Sequence, residues 1–288
     1  MPQFSVIIPV FNRASVICKT LESVCSQNFY DFEIILIDDG STDNLSVLLS
    51  EYITNGVIRY FHQSNAGVSS ARNKGAYHSL GDYLLFLDSD DMVTFNWLSD
   101  YADKIAHAYP DIVYCGIHRM KDNKVIEYTN PLDPYRNGKE FGNVIPGSFC
   151  IKKIFFQKIG SYDQHLVYGE NTELGFRIKY ASPSTAFISA PNLLYVLHPN
   201  SYGKNARNKM NGLIYTIQKH IILFNQKSSL KKSFLSIAGV AAIQCSEFRK
   251  ARALFWKALI IRPINIESIL RYFVSLSPIL SRKMWIKK

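Results

Sequence analysis

Three carboxylates fall within four positions, at Asp88, Asp90 and Asp91. They follow Tyr83-Leu84-Leu85-Phe86-Leu87, an apolar run too short for a membrane span. Such a run, set off by Gly81, reads as a strand buried on both faces. Like charges crowded at a buried strand end need a cation beside them. One candidate is a hard divalent metal, Mg²⁺ or Mn²⁺, sharing oxygen ligands with a phosphate. A solvated acidic turn that caps the next helix has the same local spacing, because Asp favours turns. The choice rests on the remainder of the chain.

The elements that must position these groups begin at residue 4. Residues 4–10 are a β-rich run closed by Pro9, followed by a Phe11-Asn12-Arg13 loop and helical spacing over 14–27. A second strand over 32–37 ends in Asp38-Asp39-Gly40-Ser41-Thr42-Asp43, rich in helix N-caps. A helix is predicted over 45–52, a strand over 57–61, and a helix over 68–79 that carries Arg72 and Lys74. This alternation predicts a parallel sheet covered on both faces, with ligands outside the carboxyl ends of the strands. Three of those ends carry chemistry: Phe11-Asn12, Asp38-Asp39 and Asp88-Ser89-Asp90. That convergence favours the metal over the acidic turn. No GxGxxG follows the first strand and no GxxxxGK[ST] occurs, which argues against a dinucleotide dehydrogenase or a P-loop NTPase.

Further along, a helix is predicted over 96–107 and a strand over 112–118. Residues 120–145 are polar and rich in turn signals, and read as a hairpin excursion with a mobile loop over the site. A strand over 145–151 and a short helix over 155–159 follow. Glu170 and Asn171 then open a helix running to about residue 180, with Glu173 in its first turn. Carboxylates there are favoured by the helix dipole, so capping explains Glu170 and Glu173 as well as chemistry does. His198 follows an apolar strand, where a hydrogen-bonded structural role suits it as well as ligation.

With these residues laid out, residues 4–201 resemble the family 2 glycosyltransferases of the GT-A fold. The resemblance rests on four ordered blocks: Val6-Ile7-Ile8-Pro9-Val10-Phe11-Asn12, Ile37-Asp38-Asp39-Gly40-Ser41-Thr42-Asp43, Gly67-Val68-Ser69-Ser70-Ala71-Arg72-Asn73 and Phe86-Leu87-Asp88-Ser89-Asp90-Asp91. It implies an α/β, Rossmann-like, mostly parallel sheet with helices on both faces. It implies an inverting enzyme that moves a hexosyl or N-acetylhexosaminyl group from a nucleotide-diphosphate sugar, most often a UDP-sugar, to a glycan or lipid-linked acceptor in surface polysaccharide biosynthesis. By match, Pro9, Phe11, Asn12 and Asp39 would receive the nucleotide, Phe11 against the base and Asp39 accepting a hydrogen bond from it. Arg72 would face the phosphates. Asp88 would hold the ribose or a metal water, and Asp90, in a DXD motif, would ligate Mn²⁺ or Mg²⁺. Asp91 would support, and His198 would complete the metal shell. The family's usual helix-start motif is Glu-Asp with the Asp as base, whereas this chain has Glu170-Asn171. An amide cannot take the proton, so Glu170 serves as base, or Glu173 does, or the chain binds donor without transfer as a scaffold; Glu170 is favoured for its nearness and reach. A nucleotidyltransferase shares the general fold, but its usual Gly- and Lys-rich first loop is absent from residues 9–13.

Charge divides the chain. Residues 205–288 hold 16 Lys and Arg against two acids, Glu247 and Glu267, a net of +14 within a total of +10. This predicts a catalytic domain over 1–204 and a basic helical appendage over 205–288, with helices over 210–224, 230–244, 246–261 and 265–276. Phe248, Ala251, Leu254, Phe255, Ala258 and Leu259 form an apolar stripe flanked by Arg249, Lys250, Arg252 and Lys257. It suits either a bundle core or attachment to an anionic membrane surface. No nucleic-acid recognition module is present, so no nucleic acid is expected. The Met1-Pro2-Gln3 start lacks a signal peptide's basic region, and no run approaches the ~20 apolar residues of a spanning helix. Five cysteines without CxxC spacing read as thiols in a reducing compartment. A cytoplasmic protein, peripheral on the inner membrane face, is expected.

Overall fold

The computed structural model describes residues 2–122, 124–130, 144–197, 205–261 and 266–285. The chain divides into two compact units, one of Met1–His165 with Glu170–Pro199 and one of Leu166–Gly169 with Asn200–Lys288.

The first unit is built on a nine-stranded sheet, ordered β3-β2-β1-β4-β8-β6-β9-β5 with β7 on β6. β1 (Phe4–Val10) is buried along its whole length, as its unbroken apolar run requires. It lies between β2 (Phe32–Asp38) and β4 (Tyr83–Phe86), parallel to both, and β3 (Arg59–His62) continues parallel beyond β2. Pro9 has no N–H to donate, but it lies past the last β1–β4 pair, Ile7 with Phe86, so it breaks no rung there.

An unbroken parallel order holds for these four strands. β6 (Ile112–Lys121) and β7 (Lys124–Thr129) form an antiparallel hairpin, and β8 (Phe149–Lys152) inserts antiparallel between β4 and β6. No helix is described between β6 and β8, and a parallel pair needs a crossover. β9 (Thr185–Val196) follows two helices and does run parallel to β6, while the two-residue β5 (Met92–Val93) pairs antiparallel with β9. Neither β5 nor the beginning of β9 carries a strand-like apolar run, and sequence reading missed both. The loop expected to cover the site lies largely in residues 131–143, outside the described residues.

Alternation along β1 feeds two cores. Val6 and Ile8 face α1 (Ile17–Cys25) and α5 (Trp97–Ala108); Ile7 faces α4 (Val68–His78), α6 (Lys153–Lys158) and α7 (Glu170–Ala181). Gly75 lets α4 lie tight on the sheet, since a Cβ there would stand 2.3 Å from Ile7 Cγ2. The helix expected over 45–52 is broken into α2 (Leu45–Leu48) and α3 (Ser50–Thr54).

The second unit is helical: α8 (Ala206–Lys219), α9 (Ile221–Gln226), α10 (Ser228–Gln244), α11 (Phe248–Ile261), α12 (Ile266–Ser275) and α13 (Pro278–Trp285). The apolar stripe of α11 is core: Ala251, Leu254, Phe255 and Ala258 are all buried. Those four side chains therefore pack within the bundle. No described helix is long and apolar enough to cross a membrane.

Candidate active site

β1, β2 and β4 are neighbours and parallel, so their carboxyl ends lie side by side. Past β1, Phe11 is half-buried and Asn12 takes a left-handed conformation at φ 52°, which Asn tolerates better than most residues. The Asn12 N–H donates to Ser41 Oγ at 3.0 Å, and its Oδ1 accepts from the Thr42 N–H at 2.8 Å. The loop after β1 is thereby tied to the loop after β2. Asp38 is held by the Ser41 N–H at 2.8 Å and by the Tyr60 hydroxyl. Asp39 is buried, and its carboxylate accepts from Gln63 Nε2 at 2.7 Å, the Ala66 N–H at 2.8 Å and the Gly67 N–H at 2.9 Å. It thus shapes the turn that leads into α4. A carboxylate has about four acceptor positions, so one remains for a further donor.

Arg72 is the hub of the site. It is only 2% exposed, and its guanidinium donates to three side chains. Nη2 donates to Asp88 Oδ1 at 2.7 Å, and Nη1 donates to Asn171 Oδ1 at 3.3 Å and Glu170 Oε1 at 3.4 Å. The Tyr162 ring lies 4.9 Å from the guanidinium carbon, within cation–π range. Burial works against the Arg72 charge, but Asp88, Tyr162 and Glu170 outweigh it and hold the pKa above the ordinary guanidinium value. Asn73, next on α4, clamps Tyr162 through both its main-chain groups: Nδ2 donates to the carbonyl at 2.8 Å and Oδ1 accepts from the N–H at 2.9 Å.

The acidic run after β4 divides by exposure. The Asp88 and Asp90 side chains keep 32% and 26% exposure, and each faces a guanidinium: Arg72 for Asp88, Arg13 at 3.6 Å for Asp90. The cations that the crowded charges demand therefore include two arginines of the chain itself. Asp91 turns inward and is 1% exposed. Its Oδ1 accepts from the Val196 N–H at 2.8 Å, tying the loop to β9, while Oδ2 has no hydrogen-bond partner. Burial, and then the Asp88 charge, push its pKa well above the usual carboxylate range. Asp91 thus acts as a structural joint. Thr20 on α1 fixes the same loop, donating to the carbonyls of Ser89 and Asp91.

Asp88 and Asp90 together offer hard oxygen donors that suit Mg²⁺ or Mn²⁺. Such ions commonly take one or two carboxylates, with waters and substrate phosphates completing the shell. Among the described residues no cluster of three His, Cys, Asp or Glu forms a cage made by protein alone. His198, the third expected ligand, lies outside the described residues.

Glu170 and Asn171 stand at the first turn of α7, beside Arg72. Asn171 Nδ2 donates to Glu170 Oε1 at 3.1 Å, so the amide and the guanidinium together orient that carboxylate. The Glu170 side chain is 13% exposed. Glu173 differs: it has no exposed surface and forms a bidentate pair with Arg177, at 2.7 Å to Nη2 and 2.9 Å to Nε. Arg177 also donates to the Ile159 carbonyl at 2.6 Å, so the pair braces α7 against the end of α6. Glu173→Gln should therefore lower stability by about 3 kcal/mol, as removal of one partner of a buried ion pair does, read as a shift of the urea midpoint. Turnover per folded molecule should hold; a 10²-fold fall in kcat with an unchanged midpoint would make Glu173 the base after all.

Sequence reading did not single out Arg13, Asn73, Tyr162 or Arg177. Arg13 had a usable signal, a cation just past the first strand and near an acidic strand end. Tyr162 had none.

A family model for glycosyl transferase family 2 matches residues 5–161, more than half the chain. The chain belongs to that family. The match spans β1, β2, β4 and α4, and thus Asp39, Arg72, Asp88 and Asp90; Glu170 lies beyond it. An uncharacterised glycosyltransferase of Rickettsia felis is 48% identical over 147 residues, 49% of this chain and 23% of that protein. Glycosyltransferase GlyA of Streptococcus pneumoniae is 31% identical over 143 residues, 49% of this chain and 20% of its own length. This family 2 chain thus matches less than a quarter of either relative. The crystal structure of S. aureus TarS 1–349 in complex with UDP-GlcNAc aligns over 100% of this chain and 93% of that one, with a TM-score of 0.66 and 16% identity. That likeness carries the fold, the GT-A arrangement of a mixed sheet between helices.

Proposed function

We propose that the chain transfers a hexosyl or N-acetylhexosaminyl group, with inversion, from a UDP-sugar to a hydroxyl of a glycan or lipid-linked acceptor in surface polysaccharide biosynthesis. The observation that carries this reading is the Arg72 bridge. It sets Asp88, at the end where a diphosphate would leave, beside Glu170, at the end where a hydroxyl would lose its proton. The UDP-GlcNAc held by TarS supports the donor class.

In this reading Phe11 lies against the base, and Asp39 accepts from it with its remaining acceptor position. Mg²⁺ or Mn²⁺, held by Asp88 and Asp90, would neutralise the charge that develops on the diphosphate leaving group. Arg72 sets the Asp88 carboxylate at one end of the site and the Glu170 carboxylate at the other. Glu170 takes the proton from the acceptor hydroxyl as that oxygen attacks the anomeric carbon from the face opposite the leaving group. Asn171, which cannot take a proton, orients Glu170 through its amide.

A second reading is favoured by Asn171 itself: a nucleotide-sugar-binding scaffold without transfer. A panel of nucleotide sugars with Mn²⁺, followed by thermal shift and nucleoside-diphosphate release, separates the two. The expected result is stabilisation by a UDP-sugar together with UDP release once acceptor is supplied, both abolished by EDTA. Stabilisation without release across a range of glycan and lipid-linked acceptors would favour the scaffold. No stabilisation by any nucleotide sugar would overturn both.

A further inference from the structure

The second unit shows the reverse of ordinary helix patterning at its C-terminal end. Among the described residues where α12 and α13 pack, the fully buried side chains are serines: Ser275 is 1% exposed and Ser281 has no exposed surface. The Ser281 hydroxyl donates to the Val274 carbonyl at 2.9 Å across the turn. Several large apolar residues point to solvent, while Ile269, Tyr272, Val274 and Trp285 are half-buried. On α12, Ile266, Leu270 and Phe273 are 74%, 55% and 60% exposed, at the i, i+4, i+7 spacing of a single helix face. On α13, Ile279, Leu280 and Met284 are 80%, 53% and 60% exposed. A water-facing helix would carry polar residues at these positions. Trp256 on α11, half exposed, packs on Tyr272 of α12 with ring centroids 5.3 Å apart.

The geometry points to the α12–α13 face as a docking surface for an anionic phospholipid bilayer, entered in the plane of the headgroups. Charge selects this occupant. The surrounding segment, 205–288, carries 16 Lys and Arg against two acids, and Arg282 and Lys283 stand exposed on α13 itself. A second copy docked through the same face would bring the same excess of positive charge against it. A bilayer with anionic headgroups supplies both the apolar layer for the stripe and the counter-charge for the flanks. None of the described helices is long and apolar enough to cross the bilayer, which suits a helix lying at the interface. This places the membrane contact on α12 and α13 rather than on α11, whose apolar stripe is used up in the bundle core. The inference does not depend on the sugar-transfer reading.

The test is sedimentation of the full chain with phosphatidylcholine vesicles, with and without phosphatidylglycerol, at rising salt. Binding to the anionic vesicles, weakening with salt, is expected. Leu270→Glu/Phe273→Glu, at two exposed positions, should reduce it at least about tenfold while the melting temperature stays unchanged. Should that variant fold poorly, quenching of wild-type tryptophan fluorescence by brominated lipid reads the same contact, because Trp256 borders the stripe. Any of four results would overturn the proposal. These are no binding at low salt, equal binding to neutral vesicles, full binding by the folded double variant without lipid quenching, or a concentration-dependent dimer in place of vesicle binding that the variant dissolves.

Discussion

Glu170→Gln is expected to lower kcat by at least about 10²-fold, the low end for loss of a general base, with folding and donor binding retained. The exchange keeps the side chain's length and one carbonyl oxygen for Arg72 and Asn171, so the hydrogen bonds at 3.4 and 3.1 Å have a replacement acceptor. What is lost is the capacity to take a proton. Moving the carboxylate one position, in Glu170→Gln/Asn171→Asp, should recover part of the turnover, because position 171 also faces Arg72. Single-turnover measurements with saturating donor isolate the chemical step. A Glu170→Gln enzyme that keeps wild-type kcat would remove Glu170 as the base, and the Asn171 departure would then need another explanation.

Arg72→Met should act on stability and on both ends of the site at once. It leaves the Asp88 and Glu170 carboxylates without the cation between them, and removes a guanidinium that rests on the Tyr162 ring. Loss of one partner from a buried ion pair costs about 3–5 kcal/mol. The lower figure applies here, about 3 kcal/mol, because Asp88 stays partly in water. Adding Asp88→Asn to Arg72→Met should return part of that loss, since one stranded charge is removed, and the double-mutant cycle isolates the pair. Urea midpoints of the four proteins read the coupling. Additive effects would mean that Arg72 and Asp88 touch without stabilising each other.

Much of the first unit could be read from local sequence. Apolar runs of four to seven residues became β1, β2 and β4, because a strand buried on both faces admits little else. Their carboxyl ends were legible as the place for chemistry, because a parallel sheet brings successive strand ends to one edge. Phe11, Asp39, Asp88 and Asp90 all stand there. The antiparallel half was less legible. β5 is two residues long and β9 begins in a mixed polar stretch, so pairing rather than composition defines them.

The division of labour among carboxylates was decided only in three dimensions. Asp88, Asp90 and Asp91 are equivalent in sequence, yet one faces Arg72, one Arg13, and the third is buried against β9. Glu170 and Glu173 share the first turn of α7, but helical geometry turns Glu173 to Arg177, four residues on, and Glu170 to Arg72, ninety-eight residues back. In the second unit the same logic separates two helices: the stripe of α11 is covered by its neighbours, while that of α12 is left bare. Amphipathic spacing is a property of one helix, but what covers the apolar face depends on the helices packed around it. Residue types and spacing therefore determined the family, the strand ends and the candidate groups. Which carboxylate meets which cation, and which apolar face meets water, was decided by packing between segments far apart in the chain.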